Sequence, residues 1–438
     1  MTHVVVLGGG SSAEAFVAAL RRHDTESRIT LVERELVGGE CTYWACMPSK
    51  TLLRAPELVA AAEITPGVEG ARLVPAEVFA WRDKVVDGWQ DEGHEPWLAE
   101  RDVALVRGDA RVLRPGVLVV DGSELAFDKL VVATGSLAII PPVPGIDQVE
   151  HWTSREATSA TAVPESLVVL GAGAVGCELA QFYRRLGARV AIVDRNERLL
   201  SREHASAGEL IGETFKGEGI DLHLNAEVER IEPGVDVHLA DGTVVQGERL
   251  LVATGRRPNV DELGLEQLGV ETTRTGIAVD SRLRAAENVW AIGDVTGIAA
   301  FTHVGKYQAR IAAADVAGQE TEADYTAIPR VTFTDPQVAA VGSTGGDGLV
   351  ESEWRVDKTS RTSTYERPKR PGFVRLFADP DAGVLRGAVA VGPEAGEWLG
   401  QLTLAVRARV PIATLRDTIQ PYPTFSEAIH FAARDLPL

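Results

Sequence analysis

Residues 2–22, THVVVLGGGSSAEAFVAALRR, run from an apolar stretch through three glycines into an alanine-rich helical pattern. Residues 166–187, SLVVLGAGAVGCELAQFYRRLG, repeat that arrangement. Each copy is followed by a second apolar run that ends on an acid, RITLVE at Glu33 and ARVAIVD at Asp194. Glu33 follows Gly8 by 25 positions and Asp194 follows Gly171 by 23. In the strand–turn–helix–strand unit that binds dinucleotides, the acid lies about 20 residues on. There the glycines allow a tight turn and let the backbone approach a pyrophosphate at the helix N-terminus. One such loop is weak evidence; two, each correctly framed, predict two nucleotide-binding domains. The first copy has Gly8, Gly10 and Ala13, and the second has Gly171, Gly173 and Gly176. Glu33 and Asp194 are each placed to accept hydrogen bonds from a ribose diol. Asp194 would also repel a 2′-phosphate, which favours NADH over NADPH, although Arg195 and Arg198 lie close by.

Each unit has a later partner segment, KLVVATGS (residues 129–136) and RLLVATGRRPN (residues 249–259), and NVWAIGDVTG (residues 288–297) reads as a further buried strand. From about Tyr325 the character changes: IPRVTFTDPQVAAVG, GFVRLFAD and LRGAVAVG read as strands of a separate sheet, followed by helices. The expected division is 1–150 and 271–324 for the first nucleotide domain, 151–270 for the second and 325–438 for a C-terminal domain. The chain has 438 residues and a net charge of −19, which argues against nucleic acid or an anionic membrane as the main partner. Its N-terminus reads directly into a strand, and no apolar run approaches a membrane span of about 20 residues. Three cysteines do not make a secreted disulfide framework, so a cytoplasmic location is expected.

Two of those cysteines lie in GGECTYWACMPSK, residues 38–50. Cys41 and Cys46 could be a redox disulfide, a metal site or two buried thiols. No second Cys or His pair has zinc-ligand spacing. In an ideal helix, residues five apart have Cα atoms about 8–9 Å apart, whereas a disulfide needs less than about 7 Å. A bond therefore requires a distorted helix start, which Gly38, Gly39 and Pro48 make plausible. The position directly after a nucleotide-binding unit favours the redox pair.

Together, GGEC-x4-C-MPSK, both glycine loops, both Ala-Thr-Gly segments, AIGD and YPTFSE (residues 422–427) resemble the flavin-dependent pyridine nucleotide–disulfide oxidoreductases, across essentially the whole chain. The resemblance implies an α/β fold with two Rossmann-like domains and a C-terminal α+β dimerisation domain. It implies FAD on the first unit, with Gly8, Gly10, Ser12, Ala13, Glu33, Gly39, Glu40, Ala110, Thr134, Gly135 and Asp294 at the cofactor. It implies NAD(P)H on the second, with Gly171, Gly173, Val175, Gly176, Asp194, Val228 and Gly255. Cys41 would be the thiol that meets substrate and Cys46 the thiol beside the flavin. Lys50, paired with Glu178, would lie near the flavin and stabilise its reduced form. A homodimer would place YPTFSE in the partner's active site, with electrons passing from nicotinamide through flavin and the Cys41–Cys46 disulfide to a small-molecule acceptor.

The chain departs from the dithiol-handling members at Tyr422, which stands where they carry a histidine; the carboxylate, Glu427, is retained. A phenol titrates near pH 10 against about 6.5 for imidazole, which makes it a poor base at neutral pH. Losing general acid–base help costs about 10²–10⁴-fold. A quinone or other electrophile therefore fits better than a standard disulfide. His430 and His303 are candidate replacement bases for a dihydrolipoyl dehydrogenase. Soluble transhydrogenation is a third reading, although that member lacks the second cysteine. Mercuric reductase also has tyrosine here, but with a C-terminal cysteine pair that the ending ARDLPL lacks. Tyr43 and Trp44, between the cysteines, would add bulk or stacking surface near the disulfide, and Cys177 reads as a core residue.

Overall fold

The N-terminal apolar run forms β1 (His3–Leu7), which pairs in parallel with β2 (Arg28–Glu33) on one side and with Lys129–Val132 on the other. Val4, Val5 and Val6 are fully buried, as expected for a strand covered on both faces. The helix α1 (Ser11–His23) buries Ala13, Phe16, Val17 and Leu20, the helical spacing of a single apolar face. Burying each of the larger side chains is worth about 1.5–3 kcal/mol. The sheet continues to Val103–Arg107 beyond β2, and to Val289–Ala291 and the antiparallel edge Arg284–Ala286 beyond Lys129–Val132. After β2 the chain makes a short helix α2 (Gly39–Tyr43) and then a long one, α3 (Cys46–Ile64).

This computed structural model describes residues 1–365 and 371–438. The chain divides into two compact units. The unit just outlined comprises Met1–Pro48, Ala80–Ile139 and Gly255–Asp324. It also holds a three-stranded antiparallel sheet of Ala110–Arg114, Val117–Val120 and Ser123–Ala126, and the helix Thr302–Val316.

The other unit comprises Ser49–Phe79, Ile140–Thr254 and Tyr325–Leu438. Its first sheet is wholly parallel, in the order Asp221–His223, Arg189–Val193, Ser166–Leu170, Arg249–Val252 and His151–Trp152. Helix Ala174–Arg185 follows its central strand, and a three-stranded antiparallel sheet of Val228–Glu232, Asp236–Leu239 and Val244–Gln246 is inserted before Arg249–Val252. A second, five-stranded antiparallel sheet runs Pro329–Thr332, Gln337–Gly342, Val384–Gly392, Phe373–Asp379 and Val350–Arg355. Helices Ala395–Arg407 and Glu427–Arg434 share its apolar core, through Leu399, Leu402, Ile429 and Ala432. The α/β architecture with a separate C-terminal sheet is the expected fold class.

Candidate active site

The two glycine loops are built alike. Gly8 has φ +101° and Gly171 φ +108°, a region that side chains disfavour. A Cβ would lie 2.5 Å from the Ala133 carbonyl oxygen at Gly8 and 2.4 Å from that of Ala253 at Gly171. The helices that follow start at Gly10 and Gly173 with no side-chain cap among the described residues, so their first-turn N–H groups are open to an anion. Gly173 and Val175 lie exposed on the rim of the second loop, whereas Gly176 is buried. Each acid bonds its own loop: Gly9 N donates to Glu33 Oε2 at 2.6 Å, and Ala172 N to Asp194 Oδ2 at 2.6 Å. Uncapped helix starts and loops too tight for a Cβ fit the pyrophosphates of FAD and NAD(P)H.

Within the first unit, the first Ala-Thr-Gly segment meets the residues that follow Thr254. Strands Ser136–Ala138 and Arg256–Pro258 pair antiparallel, Thr134 Oγ1 donates to Asn259 O at 2.7 Å, and Asn259 N donates to Gly135 O at 3.0 Å. Asp294 Oδ2 accepts from Ser136 Oγ at 2.6 Å. Arg256 donates to the same hydroxyl at 2.8 Å and pairs with Glu40 at 3.3 Å. Glu40, Ser136, Arg256 and Asp294 thus form one polar network. Ala110 opens the three-stranded sheet of this unit opposite Val120, and Val228 occupies the corresponding first position in the second unit's sheet, opposite Leu239.

The redox loop is stitched to the first glycine loop. Gly38 N donates to Gly9 O at 2.8 Å, and a Cβ on Gly39 would lie 2.8 Å from Gly10 Cα. Cys41 sits in α2, and Cys46 is the first residue of α3. Between them the helix breaks at Trp44, with φ −136° and ψ 1°. This is the distortion that the spacing demands. Both cysteines are thiols and partly buried. Cys46 Sγ lies 3.3 Å from Thr302 Oγ1. The hydrogen bond with Cys46 holds the Cys41 thiol down to about 6, against the opposing effect of burial; the Thr302 and Ser11 hydroxyls and the Lys306 ammonium add to it. A thiol so held is a thiolate at neutral pH, the form that attacks and relays electrons.

In the other unit, Lys50 Nζ donates to Glu178 Oε2 at 2.7 Å, while Phe333 N donates to Glu178 Oε1 at 2.8 Å. The ammonium also lies 4.7 Å from the centre of the Phe333 ring. Glu178 is 5% exposed, so it is a buried carboxylate with both oxygens engaged. Glu427 begins the last helix and accepts from Thr424 N at 3.3 Å. Tyr422 is 75% exposed. His430, one turn after Glu427, has a buried Nδ1 without a hydrogen-bond partner among the described residues. His303 stacks on Phe301.

Tyr43 differs from its expected place. It is 1% exposed and its phenol donates to Gln90 O at 3.0 Å, so it presents no stacking surface to a substrate; only Trp44 remains partly exposed. Cys177 is fully buried, and burial pushes its thiol well up. Its Sγ donates to Ala172 O at 3.3 Å. Sequence reasoning missed Thr302, Ser11, Arg256 and Phe333. Thr302 stands beside His303 in FTHVGKYQ and begins the helix, a position that could have marked it.

Residues 2–321 match the family described as pyridine nucleotide-disulphide oxidoreductase, and residues 328–433 match that family's dimerisation domain. A mercuric reductase of Acidithiobacillus ferrooxidans is 34% identical, over 99% of this chain and 82% of its own length. Dihydrolipoyl dehydrogenase 2 of Haloarcula marismortui is 33% identical, over 99% of this chain and 96% of its own. Among solved structures, LpdA from Mycobacterium tuberculosis superimposes with a TM-score of 0.88 at 28% identity, covering 99% of each chain. A Cu(II) complex of RclA from Escherichia coli, an HOCl-induced flavoprotein disulfide reductase, does so with 0.86 at 26% identity, again covering 99% of each. The chain belongs to the FAD-dependent, pyridine nucleotide-using disulfide oxidoreductases.

Proposed function

We propose that this oxidoreductase uses NADH to charge the Cys41–Cys46 pair through FAD, and that the pair passes electrons to a small electrophile, a quinone or comparable acceptor. The observation that carries the reading is the dithiol itself: two cysteines across a helix break, with Cys41 held as a thiolate. FAD, when bound, supplies the two-electron chemistry that links the nicotinamide to sulfur. Gly8, Gly10, Ser12, Ala13, Glu33, Gly39, Glu40, Ala110, Thr134, Gly135 and Asp294 would hold it. Gly171, Gly173, Val175, Gly176, Asp194, Val228 and Gly255 would hold the nicotinamide nucleotide. The Lys50 ammonium, fixed by Glu178, would balance negative charge on the bound flavin. Cys41 would meet the acceptor. As the dithiol gives up two electrons and two protons, the S–S bond closes and the quinone becomes a hydroquinone.

NADH would be preferred to NADPH, because the Asp194 carboxylate, held against the second loop through Ala172 N, would repel a 2′-phosphate. Arg198 is turned to Ser201 O at 3.1 Å, in its own loop. Tyr422 argues against efficient turnover of standard disulfides, since it would replace an imidazole with a phenol. Trp44 would offer an aromatic face beside the pair. A homodimer with the Tyr422–Glu427 segment in the partner's active site is part of the same proposal, supported by the matched dimerisation domain. So are the four-segment division into domains and a cytoplasmic location; among the described residues, no helix is long and apolar enough to cross a membrane.

Anaerobic titration with NADH, and in parallel with NADPH, tests the reading. One equivalent of NADH should raise a long-wavelength thiolate–flavin absorbance while the main flavin band persists. Immediate bleaching without that absorbance would remove the dithiol from the path and favour direct transhydrogenation. Replacing His430 and His303 singly addresses the dihydrolipoyl dehydrogenase reading: loss of lipoamide turnover would support it, and full retention would end it.

A further inference from the structure

We propose that the left-handed turn Asp87–Trp89 is a brace that holds the helix break between Cys41 and Cys46, making Tyr43, Trp89 and Gln90 positioning residues for the dithiol. Three successive residues have positive φ: Asp87 at 49°, Gly88 at 58° and Trp89 at 57°. Side chains avoid this region because Cβ approaches the following carbonyl oxygen. Two non-glycine residues in such a run persist only where surrounding contacts over-determine them.

Those contacts converge on the redox loop. Trp89 Nε1 donates to the Tyr43 carbonyl at 3.2 Å, and the Tyr43 phenol donates back to the Gln90 carbonyl at 3.0 Å. Tyr43 is therefore gripped through both main chain and side chain by one turn. Burial, with the carboxylates of Asp91, Glu14 and Asp87, pushes the phenol up to about 12, so it remains a donor across the working range. In an unbroken helix, the Tyr43 carbonyl would serve the N–H four residues on. The indole takes a lone pair of that oxygen, at the residue just before the break at Trp44. The next residues hold the loop's other end. Asp91 Oδ2 accepts from Val37 N at 2.7 Å and pairs with Arg107, whose Nη1 donates to Glu35 O at 2.6 Å. The Arg82 guanidinium, fully buried, lies 5.1 Å from the Trp89 ring centre and backs the turn.

The consequence is geometric. A continuous helix would hold the two cysteine Cα atoms about 8–9 Å apart, beyond the reach of a disulfide at about 7 Å. A break fixed from outside lets the S–S bond open and close without rebuilding the loop. The inference rests on the reading of the dithiol as the electron relay.

Tyr43→Phe and Trp89→Phe in the FAD-loaded protein test it, with two readouts besides turnover. One is the pH dependence of Cys41 alkylation by iodoacetamide in the reduced enzyme. The other is the dithiol–disulfide equilibrium in a glutathione buffer. Both variants should keep flavin, raise the alkylation midpoint and shift the equilibrium toward the dithiol by roughly 3- to 10-fold, the worth of one hydrogen bond. Unchanged midpoint and equilibrium in flavin-loaded variants would overturn the proposal. If Trp89→Phe loses flavin, Tyr43→Phe decides by the same criterion. Asp87→Gly relieves the turn and leaves both hydrogen bonds to Tyr43 in place; it should raise the melting temperature and leave both thiol readouts at the parent values. A thiol shift as large as that of Tyr43→Phe would reduce the brace to general packing. If the parent never develops the thiolate–flavin absorbance, the relay reading fails on its own, while alkylation and equilibrium still report on the brace.

Discussion

The two glycine-loop units begin alike and diverge after the second strand. In both, the middle residue of the loop donates to the acid that ends that strand, at 2.6 Å in each case. After Glu33 the chain returns to its own glycine loop through Gly38 and Gly39, and sets two thiols beside it. After Asp194 the chain also comes back, but through Leu200 N to Ala172 O at 2.8 Å, bringing no reactive group. The cysteine of the second unit, Cys177, lies inside the helix and is fully buried. The same strand–turn–helix frame therefore gives a reactive thiol or an inert one according to where the sulfur sits relative to the helix start and to water.

Exchanging sulfur for oxygen should break that contrast most sharply. Cys41→Ser and Cys46→Ser are each expected to cost at least about 10³-fold in turnover of a thiol-dependent acceptor, measured as acceptor-dependent NADH oxidation. Cys177→Ala should leave that rate at the parent level. A comparable loss at Cys177 would erase the distinction.

The glycines test whether the two loops serve separate nucleotides. Gly8→Ala and Gly171→Ala each force a Cβ against a carbonyl at positive φ and should each cost about 1–3 kcal/mol of stability. Gly8→Ala should empty the protein of flavin, read by absorbance. Gly171→Ala should keep flavin and lose NADH binding, read by titration. Loss of both nucleotides from either variant would contradict two independent sites.

Thiol reactivity should follow pH differently in the two units. Alkylation of Cys41 in the reduced protein should have its midpoint near 6, falling about tenfold per pH unit below it as the thiolate takes up a proton. Because its pKa lies below the ordinary 9.0, the group adds stability that is fully present above pH 9 and is lost as pH falls through about 6. Cys177 should not react at any pH at which the fold holds; mass spectrometry of the alkylated protein distinguishes the two.

Smaller effects sharpen the comparison. Asp194→Asn should raise KM for NADH by roughly tenfold and narrow the gap to NADPH, since a charge-assisted ribose contact is worth about 1.5–3 kcal/mol. Gly173→Ala should be the mildest. Nothing lies within 4 Å of its added Cβ, so the melting temperature should barely move, and any change should be confined to nucleotide affinity.

The sequence was most legible where local chemistry dictates structure. Two loops, two acids and two Ala-Thr-Gly segments were readable because a tight turn admits few residues and a doubly covered strand must be apolar throughout. The need for a helix break between Cys41 and Cys46 followed from reach alone. What stayed hidden depends on distant segments meeting. Trp89 and Gln90 are far in sequence from Tyr43, and no periodicity marks a turn in which Asp87 and Trp89 join Gly88 in the left-handed region. For the same reason Tyr43 read as bulk or stacking surface near the disulfide, when its ring is buried and its phenol occupied. Thr302 and Phe333 likewise become part of a site only once tertiary contacts place them.

The pairing of Ser136–Ala138 with Arg256–Pro258 has one more consequence. The chain leaves the first unit after Ile139 and re-enters it at Gly255, and those two residues share a hydrogen bond of 2.9 Å from Ile139 N to Gly255 O. Everything between is, in topological terms, an insertion whose two termini touch. Its excision leaves a gap that a hairpin connection of about two to five residues can bridge. Residues 140–254 are thereby a segment that can be removed or exchanged at a single short seam, whereas the first unit's other excursion, Ser49–Phe79, needs a bridge of its own.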